Sequence, residues 1–281
     1  MKDKDHIIQM VRTFVRNAPG NQFRETDGRF FDEPIVGVAS ADDPLFSDYK
    51  TIVGNRHVTP KEVFDLEFGS DSFRGGSVIS VALPISEKIR RSNRGQKDWP
   101  SKEWILYRSF GDEVFLETIG PYVEKLIAEM GYRAITPHRT KHYVTFVTPA
   151  GPCSNWSERH VAYAAGLGTF SLNDGFITEK GMAVRFISVI TDLILEADCR
   201  IAKNYRSNCL FYSPDSCSAC IKRCPISAIT EAGHDKFACY AYVYGEASSR
   251  LAVSHGGFAK AGAGCGLCQT GTPCEYKNPV T

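Results

Sequence analysis

The run Cys217-Ser218-Ala219-Cys220-Ile221-Lys222-Arg223-Cys224-Pro225 constrains this chain more than any other stretch. Its C-x2-C-x3-C-P spacing is most of the pattern by which two-cluster electron carriers wrap a [4Fe–4S] cubane. Cys239, Cys265, Cys268 and Cys274 follow, so that eight of the ten cysteines fall between Cys209 and Cys274. A cubane takes one thiolate per iron, and the count suits a pair of cubanes. The C-terminal quarter therefore reads as an electron relay for whatever precedes it.

A tight C-x2-C pair grips one cluster, while a cysteine ahead of proline faces away and ligates the other. That logic gives Cys209, Cys217, Cys220 and Cys274 to cluster I, and Cys224, Cys239, Cys265 and Cys268 to cluster II. The full motif would place a cysteine at position 214, where the chain has Pro214. Cys209 completes the set, Cys199 is its rival, and a three-iron or labile cluster is the third reading. A structural zinc site built on Cys217, Cys220, Cys265 and Cys268 would leave Cys224-Pro225 and Cys239 without a purpose.

The rest of the chain sets broad bounds. With 281 residues, 43% hydrophobic and 23% charged, it is long enough for one large and one smaller core. A formal net charge of +1 gives no global pull toward nucleic acid or an anionic membrane. The first residues lack the apolar core of a secretory signal and a twin-arginine pair. No apolar run approaches the roughly 20 residues of a membrane span. These features predict a cytoplasmic protein, where clustered cysteines serve as metal ligands more often than as disulfides.

Hydrophobic spacing predicts a helix over Lys4–Asn17 and strands over Pro34–Ala39 and Gly76–Leu83. The basic stretch from Glu87 to Pro100 reads as a solvated loop, the alternative being a clamp for phosphate or carboxylate. Ser101–Met130 reads as helix, with an apolar stripe at Phe115, Ile119, Val123, Ile127 and Met130, a kink or break at Gly120-Pro121 and a stop at Gly131. Tyr143–Val147 alternates like a strand. A helix is expected from Ser154 or Asn155, with Glu158 as a capping partner, ending at Gly166. Met182–Ile190 and Asp192–Leu195 read as a strand and its continuation. Strands and helices alternate to about residue 200, so the fold class is α+β or α/β. The boundary falls near Lys203, giving units 1–203 and 204–281.

The segment before the cysteines carries a signature. Glu158-Arg159, Ala165-Gly166-Leu167-Gly168 and Asn173, then Val189-Ile190-Thr191-Asp192-Leu193, then the cysteine groups, together resemble the epoxyqueuosine reductase and reductive dehalogenase superfamily. Ser80–Pro84, the long helix and Gly131-Tyr132 fall in the same order, so the resemblance runs from about residue 75 onward. It implies an N-terminal α/β domain similar to cobalamin-processing and nitroreductase-like folds, holding a corrinoid. It also implies a C-terminal ferredoxin-like domain with two [4Fe–4S] clusters, fed by a ferredoxin or flavodoxin. The implied activity is an oxidoreductase that reductively cleaves a bond in a small-molecule substrate. The alternative is an electron-transfer or docking protein without a corrinoid of its own.

Several departures mark a divergent branch. The position of the family's catalytic aspartate, counted back from Gly166, holds Pro152, with Cys153 beside it. Glu275 stands where a proline usually follows the last cysteine. The chain ends seven residues after Cys274, without the helical repeats of many tRNA-acting members. With the neutral charge, this argues against nucleic acid as a partner. Cys153, Glu158, His160 and Tyr163 are the residues able to replace the missing proton donor, Cys153 first among them. Their structural readings are a helix cap for Glu158 and simple exposure for His160. Arg159 and Asn173 either act in the site or brace the domain. No residue is assigned to the corrinoid. Gly256-Gly257 and Gly262–Gly264 are expected to bring backbone close to cluster II.

Overall fold

The computed structural model describes residues 2–23, 27–213 and 217–281. Position 214, where the full motif calls for a cysteine, lies outside the described residues. Helix α1 (Lys2–Asn17) buries Ile7, Val11 and Val15, one face of a 3.6-residue repeat. Strand β1 (Ile35–Ser40) leads through helices α2 (Leu45–Ile52) and α3 (Pro60–Phe68) to strand β2 (Ser77–Pro84). The start of α3 is set by a reciprocal capping box between Thr59 and Glu62, with Pro60 at its first position.

The basic stretch is not a loop. Glu87–Arg94 forms helix α4, which buries Ile89 and Asn93 and exposes Arg91, while Arg90 and Arg94 turn to the buried Glu275. Helix α5 (Lys102–Leu106) runs into a π-helical segment, Tyr107–Phe115, and then into α6 (Leu116–Glu129). The expected stripe is buried along α6. Phe14 of α1 stacks on Tyr122 at 4.1 Å between ring centroids. The predicted break at Gly120-Pro121 does not occur. Pro121 cannot donate to the carbonyl of Glu117, and the Arg139 guanidinium takes that carbonyl instead, at 3.1 Å. Gly131, at φ 88°, follows the end of the helix as the spacing predicts.

Strand β3 (Ala134–Ile135) precedes a hairpin of β4 (Thr145–Thr148) and β5 (Gly151–Ser154). Helix α7 (Glu158–Ala164) starts later than the sequence suggests and is preceded by Ser157. Asn155 caps no helix. Its amide closes the base of the hairpin, accepting from Val144 N and donating to His142 O. A second hairpin, β6 (Gly168–Phe170) and β7 (Phe176–Thr178), leads into β8 (Val184–Thr191). Beyond Thr191 the expected continuation is irregular.

The main sheet has the order β1-β2-β8-β3, and every pair is antiparallel. The alternation of helices and strands therefore builds an α+β sheet, not a parallel α/β one. Both faces are covered. Ile79, Val81, Leu83, Ile187 and Val189 pack against α1 and α6, whereas Val78 and Ile190 pack against α2, α3 and α7. Burial on both faces explains why β2 shows no polar–apolar alternation, its apolar residues being interrupted only by the buried Ser80.

The cysteine-rich remainder holds α8 (Ala219–Arg223), the short hairpin β9 (Ile229–Thr230) with β10 (Gly233–His234), α9 (Lys236–Tyr244) and α10 (Glu246–Ser254). Among the described residues, no helix is long and apolar enough to cross a membrane.

Candidate functional site

The late cysteines divide between two neighbouring cavities. Cys209, Cys217, Cys220 and Cys274 line a small apolar one. Cys224, Cys239, Cys265 and Cys268 line a larger one of about 510 Å³. Asn173 and Met182 line both and stand between them. The thiols of each set are electrostatic neighbours. Burial pushes Cys220 up to about 12, and Cys274, Cys209 and Cys217 add to it. Burial likewise holds Cys265 at about 12, with Cys239 and Cys224 adding to it. Cys268, raised well above the ordinary thiol range by burial, also feels Cys220 of the other set.

Backbone conformation places these thiols. Gly266 sits between the C-x2-C cysteines at φ 64°, and a Cβ there would meet the Trp104 ring at 1.9 Å. Only glycine serves in that left-handed, crowded position. Amides point at sulfur, Ala219 N at Cys217 Sγ (3.5 Å) and Ala228 N at Cys224 Sγ (3.2 Å). Amide-to-sulfur contacts of this kind tune a cluster where the thiolates hold one. Among the described residues, no three His, Cys, Asp or Glu side chains converge on a point that could hold a single ion. Four thiols spread around a common space form instead a donor set suited to a cluster whose irons each take one thiolate.

Cys199 is exposed and lines neither cavity. Cys153 does not line them either. Its thiol turns to the Phe146 carbonyl at 3.6 Å across the β4–β5 hairpin, while Pro152 faces the larger cavity. Of the glycines expected near the second cysteine set, Gly264 lines the cavity, but Gly257 packs against Ser109 and Ile105.

The larger cavity extends well beyond its thiols, and its volume is in the range of small-molecule sites, roughly 300–1,000 Å³. Its wall combines the apolar Phe176, Val184 and Phe186 with the cationic Arg159 and Arg185. This mixture suits a flat organic group with a polar fringe. Asp112, on the π-helical segment, pairs with Arg108 and also with Arg185 at 3.1 Å, fixing both guanidiniums. Arg159 donates to the Asp174 carbonyl. Asn173 donates to the Cys268 carbonyl at 3.2 Å, so it braces the cysteine loop while lining the cavity.

His234 went unnoticed in the sequence. Burial alone would depress its imidazole, yet its contacts with Asp174 and Cys239 outweigh burial and push it up to about 9. His160 is not exposed. It lies against the Tyr49 and Phe170 rings with Nδ1 2.8 Å from Ser157 Oγ, and burial lowers it to about 3. Tyr163, the remaining donor suggested by the sequence, does not line the cavity. Glu158 does line it, but its carboxyl is turned back into the protein. Both oxygens are buried without a hydrogen-bond partner, and burial raises its pKa.

No family model and no curated protein matches the chain. Solved structures do. An epoxyqueuosine reductase from Bacillus subtilis, with its catalytic aspartate loop swung out of the active site, aligns at 18% identity and a TM-score of 0.52. The alignment covers 98% of this chain and 65% of that one. An epoxyqueuosine reductase bound to a modified tRNA stem loop aligns at 19% identity and a TM-score of 0.53, over 98% and 65% of the two chains. A reductive dehalogenase, described with a mechanism for B12-dependent dehalogenation, aligns at 16% and 0.52, over 98% and 37%. The chain thus spans 65% of the length of those epoxyqueuosine reductases. At such identities the likeness is one of fold, and this chain has the fold of the epoxyqueuosine reductases and reductive dehalogenases.

Proposed function

We propose that the chain is an iron–sulfur oxidoreductase that reduces a small molecule in the larger cavity. The four-and-four division of the cysteines between two adjoining cavities carries this reading. Residues 204–281 would be the two-cluster, ferredoxin-like relay unit and residues 1–203 the substrate unit. Cys209, Cys217, Cys220 and Cys274 would hold cluster I, and Cys224, Cys239, Cys265 and Cys268 cluster II. A ferredoxin or flavodoxin in the cytoplasm would supply the electrons one at a time.

A corrinoid is the cofactor that the dehalogenase neighbour suggests, and the cavity wall suits it. Phe176, Val184 and Phe186 would bear its flat face, with Arg159 and Arg185 at its polar fringe. When bound, such a group supplies a low-valent cobalt that accepts electrons and cleaves carbon–oxygen or carbon–halogen bonds. The protein's own residues bind and orient the reactants, exclude water and deliver a proton. A relay with no corrinoid would have less use for a cavity whose Arg108 and Arg185 are fixed by Asp112.

The tRNA-bound neighbour favours a second reading, with a modified nucleotide as the substrate. The near-neutral charge counts against it, because phosphate binding is driven by counterion release to basic surfaces. Filter binding to tRNA at low salt separates the two.

The reading as a whole is tested by anaerobic purification with iron, acid-labile sulfide and absorption measured together. It predicts about eight irons and eight sulfides per chain, the complement of two cubanes, with a corrinoid band after reconstitution. Zinc without sulfide would overturn it.

A further inference from the structure

A line of three side chains runs from the exterior to the larger cavity. Glu117 on α6 is partly exposed at 37% and is held by Arg139 at 3.3 Å. Both of its oxygens lie 3.0 Å from Nε2 of His138. On the other side of that imidazole, Nδ1 is buried without a hydrogen-bond partner and lies 3.8 Å from Glu158 Oε1. Glu158, at the start of α7, lines the cavity, and its two oxygens are buried without a hydrogen bond of full geometry, Ser188 lying near them. An unsatisfied carboxyl facing an unsatisfied ring nitrogen, with a cavity on one side and a half-exposed carboxylate on the other, has no evident packing role.

We propose that Glu117, His138 and Glu158 form a proton relay, with Glu158 as the shuttle that delivers the proton to the substrate bound in the cavity. The inference rests on the reductive reading of that cavity, since cleaving a bond with added electrons also requires protons. The charges of the resting line follow from its surroundings. Burial raises Glu158 and so favours its protonated form, and His138 and Ser188 oppose this only in part. Burial lowers His138, but its bond to Glu117, the charge of Glu158 once that carboxyl has given up its proton, and the charge of Glu117 outweigh that and the opposing Arg139, so it is net raised. Burial raises Glu117, but His138 and Arg139 outweigh it and hold Glu117 ionised. The Tyr143 ring edge completes the surroundings of the imidazole.

Each transfer balances. Glu158 swings outward and gives its proton to the substrate atom that receives electrons from the external one-electron donor. The carboxylate swings back and takes the Nδ1 proton of the imidazolium. A closure of about 1 Å from the resting separation brings the two into hydrogen-bond range. His138 is left neutral with its Nε2 proton on Glu117. It regains a proton from solvent on the Glu117 side after the ring turns. Glu158 is the catalytic residue here, and His138 and Glu117 are positioning and supply residues. The family's aspartate position holds Pro152, so delivery from Glu158 serves a cavity that has no carboxylate at that position.

The test follows the Glu158 proton itself. Infrared difference spectra of the purified protein against Glu158→Gln should show the carbonyl stretch of a protonated, non-hydrogen-bonded carboxylic acid at neutral pH. On mixing into D2O, the deuterium shift of that band should slow by about tenfold or more in His138→Gln and in the surface variant Glu117→Gln. NMR titration should show the His138 imidazolium persisting above the ordinary histidine range, and losing that persistence in Glu117→Gln. An ionised Glu158 at neutral pH, or equal exchange rates in wild type and both variants, would overturn the relay. None of these readouts requires clusters or turnover, so the relay and the iron–sulfur reading fail separately.

Discussion

Glu275 shows how one side chain fixes the last cysteine loop from a distance. Its carboxylate is 2% exposed and pairs with Arg94 at 2.7 Å and Arg90 at 3.4 Å. It also accepts from Gly271 N at 2.7 Å. The neighbouring backbone is bonded to the substrate unit through Met182 N to Cys274 O and Ala183 N to Glu275 O. Glu275→Ala would remove the carboxylate from the part-exposed Arg94 and from Arg90, which keeps Asp32 at 3.8 Å, and would orphan Gly271 N, at a cost of about 1–2 kcal/mol. The expected result is a lower Tm with preferential loss of iron from the Cys274 cavity. Unchanged stability and iron would contradict this role. The alternative of an anion clamp among these arginines was legible in the sequence, but the carboxylate it holds was not. Arg94 and Glu275 are 181 residues apart, and no spacing or period links them. Glu158 had the same difficulty. A glutamate three residues after Asn155 fits a capping partner by pattern, and only the fold shows its carboxyl turned toward His138.

At the scale of elements, periodicity found the helices and strands whose burial is one-sided or complete. The stripes of α1 and α6 and the apolar run of β2 are direct readouts of burial. The π-helical segment was not legible, because its residues share the apolar spacing of the helix it interrupts. Strand direction was equally hidden, since β2 would show the same composition in a parallel sheet covered on both faces. Helix α7 begins on two buried imidazoles. His57 Nε2 accepts from Ser157 N at 3.2 Å, and His160 bonds Ser157 Oγ. Burial holds the pair near 4 and 3, against 6.5 for the free side chain. The unfolded chain therefore binds more protons below pH 6.5. Stability is full above that value and falls as the pH drops toward the folded pKa values. The loss should reach about 2 kcal/mol per imidazole at pH 5. Urea midpoints measured from pH 7.5 to pH 4.5 check this, and a flat profile across that window would contradict it.

For the whole molecule, the cysteine-rich quarter is built into the sheet-bearing part and is not appended to it. The Arg223 guanidinium, one residue before Cys224, binds the carbonyls of Asn93 in the last turn of α4 and Gln96 just beyond it, and of Leu267 and Thr270 in the last cysteine loop. Asn173 reaches Cys268 from the other side. A signature asparagine and a motif arginine thus hold the larger cavity between the two parts. The cysteine spacing made the thiol sets legible, because local chain geometry decides which thiols of a C-x2-C pair converge. The contents of the opposite wall come from β8, α7 and the π-helical segment, which converge only in the folded chain.

The central claim is that the eight late cysteines serve two centres, four each. Iron and acid-labile sulfide in anaerobically purified Cys209→Ser, Cys265→Ser and Cys199→Ser variants test it most directly. Cys209→Ser and Cys265→Ser should each lose about half of both elements, with different electron paramagnetic resonance signals surviving, and Cys199→Ser should keep the full complement. Full retention in Cys209→Ser together with loss in Cys199→Ser, or metal without sulfide in every variant, would contradict the account.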